Sequence, residues 1–302
     1  MSTQAFSKKD YTEEQFNIIN IKIHSDEKDK QFLYSETINQ IFNFTDFFVK
    51  IGNKNGLVLK KIKKVPLNKK MLGSEFNNLE YDTYDIYEGE FIKYKIEDQN
   101  DKHYNTVSKE LKPGNPNSIE KPNAYQVPFY FIPSIHRLLL PLNSKAKPTQ
   151  VKRFFEEALL KIYDSSKFYN VDIAKSSEEI EKIFKFKSLD KLQLEISYTN
   201  DDLGEDEKQF MDALLKESNV NKFKAEYNAE RKESLNIDSK LIKGGIELSK
   251  ENGAVKATGT NSFGNKVVVN TMNEFENFKI KVKNEINPLI SILKESLTKW
   301  RM

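Results

Sequence analysis

Histidine is scarce in this chain: His24, His103 and His136 are the only three. Their spacing does not make a zinc motif. His136 stands out because Arg137 follows it, inside an apolar and aromatic run from Val127 to Leu142. In such a pair the imidazole exchanges a proton and the guanidinium takes a phosphate, so His136 is the candidate catalytic residue. Asp201 and Asp202 follow a strand-like segment, a place from which carboxylates hold Mg²⁺ through oxygen. They are the candidate metal ligands, with Asp206 in reach. A phosphodiesterase or nuclease using His136 and acidic residues is one reading of these groups. The plainer reading gives His136 a structural hydrogen bond and makes residues 201–207 a solvated acidic loop. HExxH, GxSxG, Walker A and zinc-deaminase patterns are absent, so no catalytic signature overrides it. No Gly-rich turn lies between Leu142 and Val151 to hold a pyrophosphate, and no cofactor is expected.

The basic residues point elsewhere. Lys60, Lys61, Lys63, Lys64, Lys69 and Lys70 fall in a stretch without acids. Arg137, Lys145, Lys147, Lys152 and Arg153 gather around the start of a helical pattern. Both sets suit sequence-independent contact with the backbone phosphates of DNA or RNA, with Phe129 or Tyr130 to stack on a base if exposed. Against this, residues 75–101 are acidic, and the two blocks are placed to face each other and cancel. A third class of reading is assembly or regulation. Leu293, Leu297 and Trp300 lie on a C-terminal helical stripe that would serve a protein partner or a second copy of the chain.

Composition bounds these readings. The chain has 302 residues, 48 basic and 45 acidic, for a formal charge of +3, so only local charge layout argues for nucleic acid. Apolar residues make up 38%, enough for a packed core. There is no cysteine, which removes disulfides and thiolate sites and fits a reducing cytoplasm. The first residues lack an apolar signal core, and no run approaches about 20 apolar residues, so neither export nor a membrane span is expected.

These side chains must be positioned by an α+β scaffold. Ile19, Ile21 and Ile23 alternate as a first strand, and residues 32–42 follow as an amphipathic helix. The turn at 53–56 precedes a strand at 57–59. Residues 84–87 and 90–96 read as a hairpin around Glu88-Gly89. Residues 127–142 are extended, with Pro133 imposing a bulge or an edge. Val151, Phe154, Phe155, Ala158, Leu159 and Ile162 share a helix face, with Thr149 as its N-cap. A strand at 168–173, a short helix capped at Ser176 or Ser177, and a strand at 192–198 complete the central unit. Gly244-Gly245 reads as a breaker, Glu251-Asn252-Gly253 as a hairpin turn, and residues 275–297 as a helix divided at Pro288. The fold class is α+β, with mixed or antiparallel sheets and helices on one face, arranged as two ferredoxin-like modules. The Pro- and Gly-containing stretch suggests a module over 1–110, a linker over 111–125 and a C-terminal domain over 126–302.

The block from Phe129 to Leu138, with residues 150–155, resembles a poorly characterised family of bacterial proteins associated with mobile elements or phage defence. Residues 192–200 and 251–253 are similar too. The resemblance implies a setting and supplies no catalytic residues. The combined expectation is a binding component of a bacterial anti-phage defence or mobile-element system, contacting nucleic acid or a protein partner in the cytoplasm.

Overall fold

A computed structural model describes residues 11–25, 27–165, 168–197, 206–218, 220, 222–283 and 287–300. Asp201 and Asp202 lie outside the described residues. Two antiparallel sheets carry the fold. The large one has eight strands: β1 (Tyr11–Ile23), β2 (Val49–Ile51), β3 (Asn55–Asn68), β4 (Thr83–Lys95), β7 (Tyr125–Ile132), β8 (Arg137–Pro141), β9 (Tyr169–Ile173) and β14 (Phe278–Lys283). Its order is β14-β1-β8-β7-β4-β3-β2, with β9 also paired to β1. The small sheet has the order β11-β10-β12-β13, from β10 (Ser188–Ile196), β11 (Phe223–Asn228), β12 (Gly253–Thr260) and β13 (Lys266–Asn270). A separate hairpin pairs β5 (Lys102–Tyr104) with β6 (Leu111–Pro113). Among the described residues, no helix is long and apolar enough to cross a membrane.

β1 is the organising strand. Its first half pairs with β14 and its second half with β9, while β8 runs along the other edge. Ile19, Ile21 and Ile23 alternate as the sequence predicts and face a core built with α1 (Lys30–Phe42) and α2 (Pro148–Tyr163). Phe16 and Ile18 face the opposite core, closed by α6 (Pro288–Trp300). The large sheet therefore carries helices on both faces, not one. The small sheet keeps one helix-covered face, formed by α3 (Ser177–Phe184) and α5 (Lys240–Asn252), with α4 (Asp206–Glu217) packed on α5.

Several expectations require correction. The boundary at 111–125 does not separate two sheets, because β4 pairs with β7 and β1 pairs with β8, β9 and β14 across it. Neither strand order is that of a ferredoxin-like module. Glu88-Gly89 is not a turn: β4 runs straight through it, and a Cβ on Gly89 would lie 2.0 Å from the Phe129 ring. The glycine is there for close ring packing. Gly244 and Gly245 lie inside α5, where Gly245 presses on Leu194. Glu251 and Asn252 end that helix, and Gly253 begins β12, so no hairpin turns there. Residues 278–283 alternate buried and exposed as β14, so the C-terminal helix starts only at Pro288. Lys147, not Thr149, occupies the N-cap of α2, and Pro148 follows it. Ser176 does cap α3, accepting from the Glu179 N–H at 3.2 Å.

Candidate functional site

The lysine block and the acidic block become adjacent strands. β3 pairs with β4 from Asn55↔Lys95 to Asn68↔Thr83, setting Lys63 opposite Glu88. Lys60 meets Glu90 at 2.9 Å, Lys63 meets Glu88 at 3.4 Å, Lys64 meets Asp85 at 2.7 Å and Lys69 meets Asp82 at 2.8 Å. Opposite charges paired across a ladder stabilise the sheet and leave little net field. Of the first basic set, Lys61 and Lys70 have no carboxylate at ion-pair distance among the described residues. The expectation of a continuous basic groove on this stretch is corrected accordingly.

His136 and Arg137 are not surface groups. His136 occupies the left-handed position (φ 46°) that turns the chain from β7 into β8, and its carbonyl accepts from Ile21 N–H at 3.0 Å. Its ring stacks on Tyr34 at 5.5 Å and is 2% exposed. This is a structural place, without the access that a phosphodiesterase base needs. Arg137 is equally buried. It donates to Asn20 Oδ1 and to Glu251, the latter at 3.0 Å, and lies 5.8 Å from the Trp300 ring centroid. Trp300, Leu293 and Leu297 are themselves core residues. Trp300 packs edge-on against Phe278 at 4.8 Å. They close the second core and are not free to form the expected interface. Phe129 is buried with Phe91 and Phe154, so it is not a base-stacking platform. Arg153 is held by Glu157 at 2.7 Å.

Lys145 and Lys147 have a different surrounding. Phe91, Lys93 and Lys95 alternate along one face of β4, which α2 covers only as far as its own N-terminus. Beyond that point a hollow of about 430 Å³ opens, lined by Lys54, Lys93, Lys95, Lys145, Asn55, Asn123 and Tyr125. Lys93 Nζ donates to the Lys145 carbonyl at 2.8 Å and to Gln150 Oε1 at 3.3 Å. Burial, and then the charge of Lys147, push the Lys93 ammonium below the usual lysine range. Lys145 Nζ sits 5.9 Å from the Tyr125 ring centroid, and Tyr125 is 46% exposed. Lys54 and Lys95 are offset by Asp101, whose carboxyl is pulled down to about 2, first by its hydrogen bond to Lys95. Four lysines thus line the hollow, with Lys147 close to Lys93, against Asp98 and Asp101 and beside a helix N-terminus whose dipole adds positive potential.

A second concavity lies where the two sheets meet. Its volume is about 460 Å³, and its walls include Lys152 and Glu156 from α2, Asp172 from β9, Lys175, Glu195 and Ser197 at β10, and Asn252 at the end of α5. Lys152 lies 3.4 Å from Asp172 and 3.6 Å from Glu156, which corrects its expected place on a phosphate-binding surface. Ser197 Oγ donates to Asp172 Oδ2 at 3.2 Å. Burial raises the Glu156 carboxyl above its ordinary range. Burial, with Lys152 next, brings the Lys175 ammonium down to about 8. Sequence reading missed Lys175 and gave Asn252 only a turn: tertiary folding alone joins β9 to the end of α5. Among the described residues, no group of three or more His, Asp or Glu side chains is arranged to hold a metal ion.

The fold defines a two-sheet α+β protein with a basic hollow on the large sheet and a polar cleft at the seam. Residues 12–297 match the family described as "Domain of unknown function (DUF4747)", and the chain belongs to that family. No curated protein matches it.

Proposed function

We propose that this chain is a nucleic-acid-binding component of a bacterial defence or mobile-element system, gripping backbone phosphates at the hollow beside the N-terminus of α2. The observation that carries the reading is the hollow lined by Lys54, Lys93, Lys95 and Lys145 beside the exposed Tyr125 ring, with Lys147 near enough to Lys93 to act on its charge. Ammonium groups that repel one another in the free protein gain when a phosphate enters between them, and an exposed tyrosine offers a stacking face for a base. Contact is sequence-independent. The defence or mobile-element setting rests on the resemblance of the block at residues 129–138, and cytoplasmic placement belongs to the same proposal. The basic hollow favours nucleic acid over a protein partner, because the apolar residues that would anchor a partner, Leu293, Leu297 and Trp300, are consumed in the core.

The test is fluorescence anisotropy of labelled single- and double-stranded DNA and RNA with nuclease-treated protein, across a salt series. Binding should weaken steeply with salt. The double change Lys145→Glu and Lys147→Glu should flatten the log–log salt slope by about 1.4–1.8, since each phosphate contact contributes about 0.7–0.9. No binding at low salt, or a slope that the double change leaves alone, overturns the reading.

A further inference from the structure

The seam cleft has a donor arrangement that the two sheets do not use up. Lys175 is 8% exposed. Its ammonium donates to the Met272 carbonyl at 2.8 Å and lies 4.8 Å from the Phe275 ring centroid. Among the described residues no carboxylate comes within ion-pair distance of it. Asn252 is fully buried. Its Oδ1 accepts from both Lys22 Nζ and Asn20 Nδ2, which fixes the orientation of the amide. The Nδ2 of Asn252 then has no acceptor among the described residues. Lys152 lines the same cleft. A buried amide donor without an acceptor is costly, and the Lys175 ammonium at the same cleft has one carbonyl for its three donors among the described residues.

We propose that the seam cleft binds a small phosphate ester of mononucleotide size, with Lys175 and Asn252 holding the phosphate oxygens. The cleft volume of about 460 Å³ suits a mononucleotide. Val171, Ile196, Met272 and Phe275 give apolar wall for a base, and Asp172 and Glu156 accept from sugar hydroxyls. The acids do not forbid an anion. Asp172 is engaged with Lys152 and Ser197, Glu195 with Lys222 and Lys224, and Glu156 with Lys152. This site is separate from the basic hollow, and the proposal stands without the nucleic-acid reading.

The experiment is isothermal titration of the full chain with AMP, with inorganic phosphate and with adenosine. AMP should bind, phosphate should bind more weakly, and adenosine should not bind. Lys175→Met should lower AMP affinity at least about tenfold, while Lys145→Glu with Lys147→Glu leaves it unchanged. Should Lys175→Met fail to fold, a pH series on the unmodified protein gives the same answer. Affinity should fall as pH rises through about 8, where the free protein's Lys175 loses its charge among Lys152, Glu156, Asp172, Glu195 and Lys222. Absence of AMP binding at millimolar concentration, AMP affinity untouched by Lys175→Met, or a flat pH profile each overturn the proposal. So does AMP binding that the hollow's charge reversals abolish.

Discussion

Across the β3–β4 ladder, the Lys64 ammonium lies 2.7 Å from a carboxylate oxygen of Asp85. Asp85 is almost wholly buried while Lys64 is half exposed, so the pair brings a lysine of the basic stretch down onto the sheet. Hydrogen bonding to Asp85 raises the Lys64 ammonium above its ordinary range. Lys60 and Lys63 repeat the pairing with Glu90 and Glu88. Converting Lys60, Lys63 and Lys64 to glutamate should therefore act on stability first. Exposed pairs contribute about 0.2–1 kcal/mol each, and reversal adds repulsion, so denaturant melts should show a loss of roughly 1–3 kcal/mol. Anisotropy should show nucleic-acid affinity within about twofold of the unmodified chain once nearby long-range charge is screened at physiological salt.

Tyr125 separates stacking from charge. Tyr125→Ala should weaken single-stranded binding by about 1–2 kcal/mol and leave the salt slope unchanged, because it removes a ring and no cation. Tyr125→Phe should restore the loss. A changed slope with unchanged affinity at a fixed salt would show that the ring does not stack.

The pH response of stability isolates Lys175. Its folded-state value of about 8 lies below the ordinary lysine value of 10.5, so the folded chain binds fewer protons than the unfolded chain between those limits. Stability then rises with pH through that window. Lys175→Met removes the cost of the buried ammonium. It should be more stable than the unmodified protein at pH 7 by roughly 2 kcal/mol, with the advantage shrinking toward pH 10. Paired chemical melts at several pH values check this.

Two glycines give opposite expectations. A Cβ on Gly89 would meet the Phe129 ring at 2.0 Å, with Phe91 tilted against that ring at 4.7 Å between centroids. Gly89→Ala should cost about 1–3 kcal/mol through overpacking. A Cβ on Gly245 would meet one methyl of Leu194 at 2.4 Å, the mobile end of a side chain. Alanine gains about 1 kcal/mol of helix propensity there, so Gly245→Ala should lie within about 1 kcal/mol of neutral. Thermal melts of both variants provide the comparison.

Trp300 tests whether the C-terminal helix is core. It is 9% exposed, lies against Phe278 and has Arg137 over its ring. Trp300→Ala should cost about 3–5 kcal/mol of folding stability, as large-to-small core changes do. A change that alters only the association state, with stability intact, would contradict its burial.

Local periodicity determined a good part of the fold on its own. The alternation of Ile19, Ile21 and Ile23, the helix face of Val151, Phe154, Phe155, Ala158 and Leu159, and the Ser176 cap are written in residues a few positions apart, and they appear as expected. The α+β class followed from these elements. What the sequence left open was decided by distant partners. Gly89 reads as a turn until the Phe129 ring arrives from another strand. Residues 278–282 fit a helical stripe as well as a strand, and only pairing with β1 selects the strand. The lysines of β3 and the acids of β4 are separate blocks in the chain, and their register turns two opposed fields into a neutral ladder. The seam cleft is further still from legibility. Lys152, Asp172, Lys175 and Asn252 come from four elements, and their chemistry exists only where the two sheets meet. Burial and electrostatic coupling depend on distance in space, and a sequence records distance only along the chain.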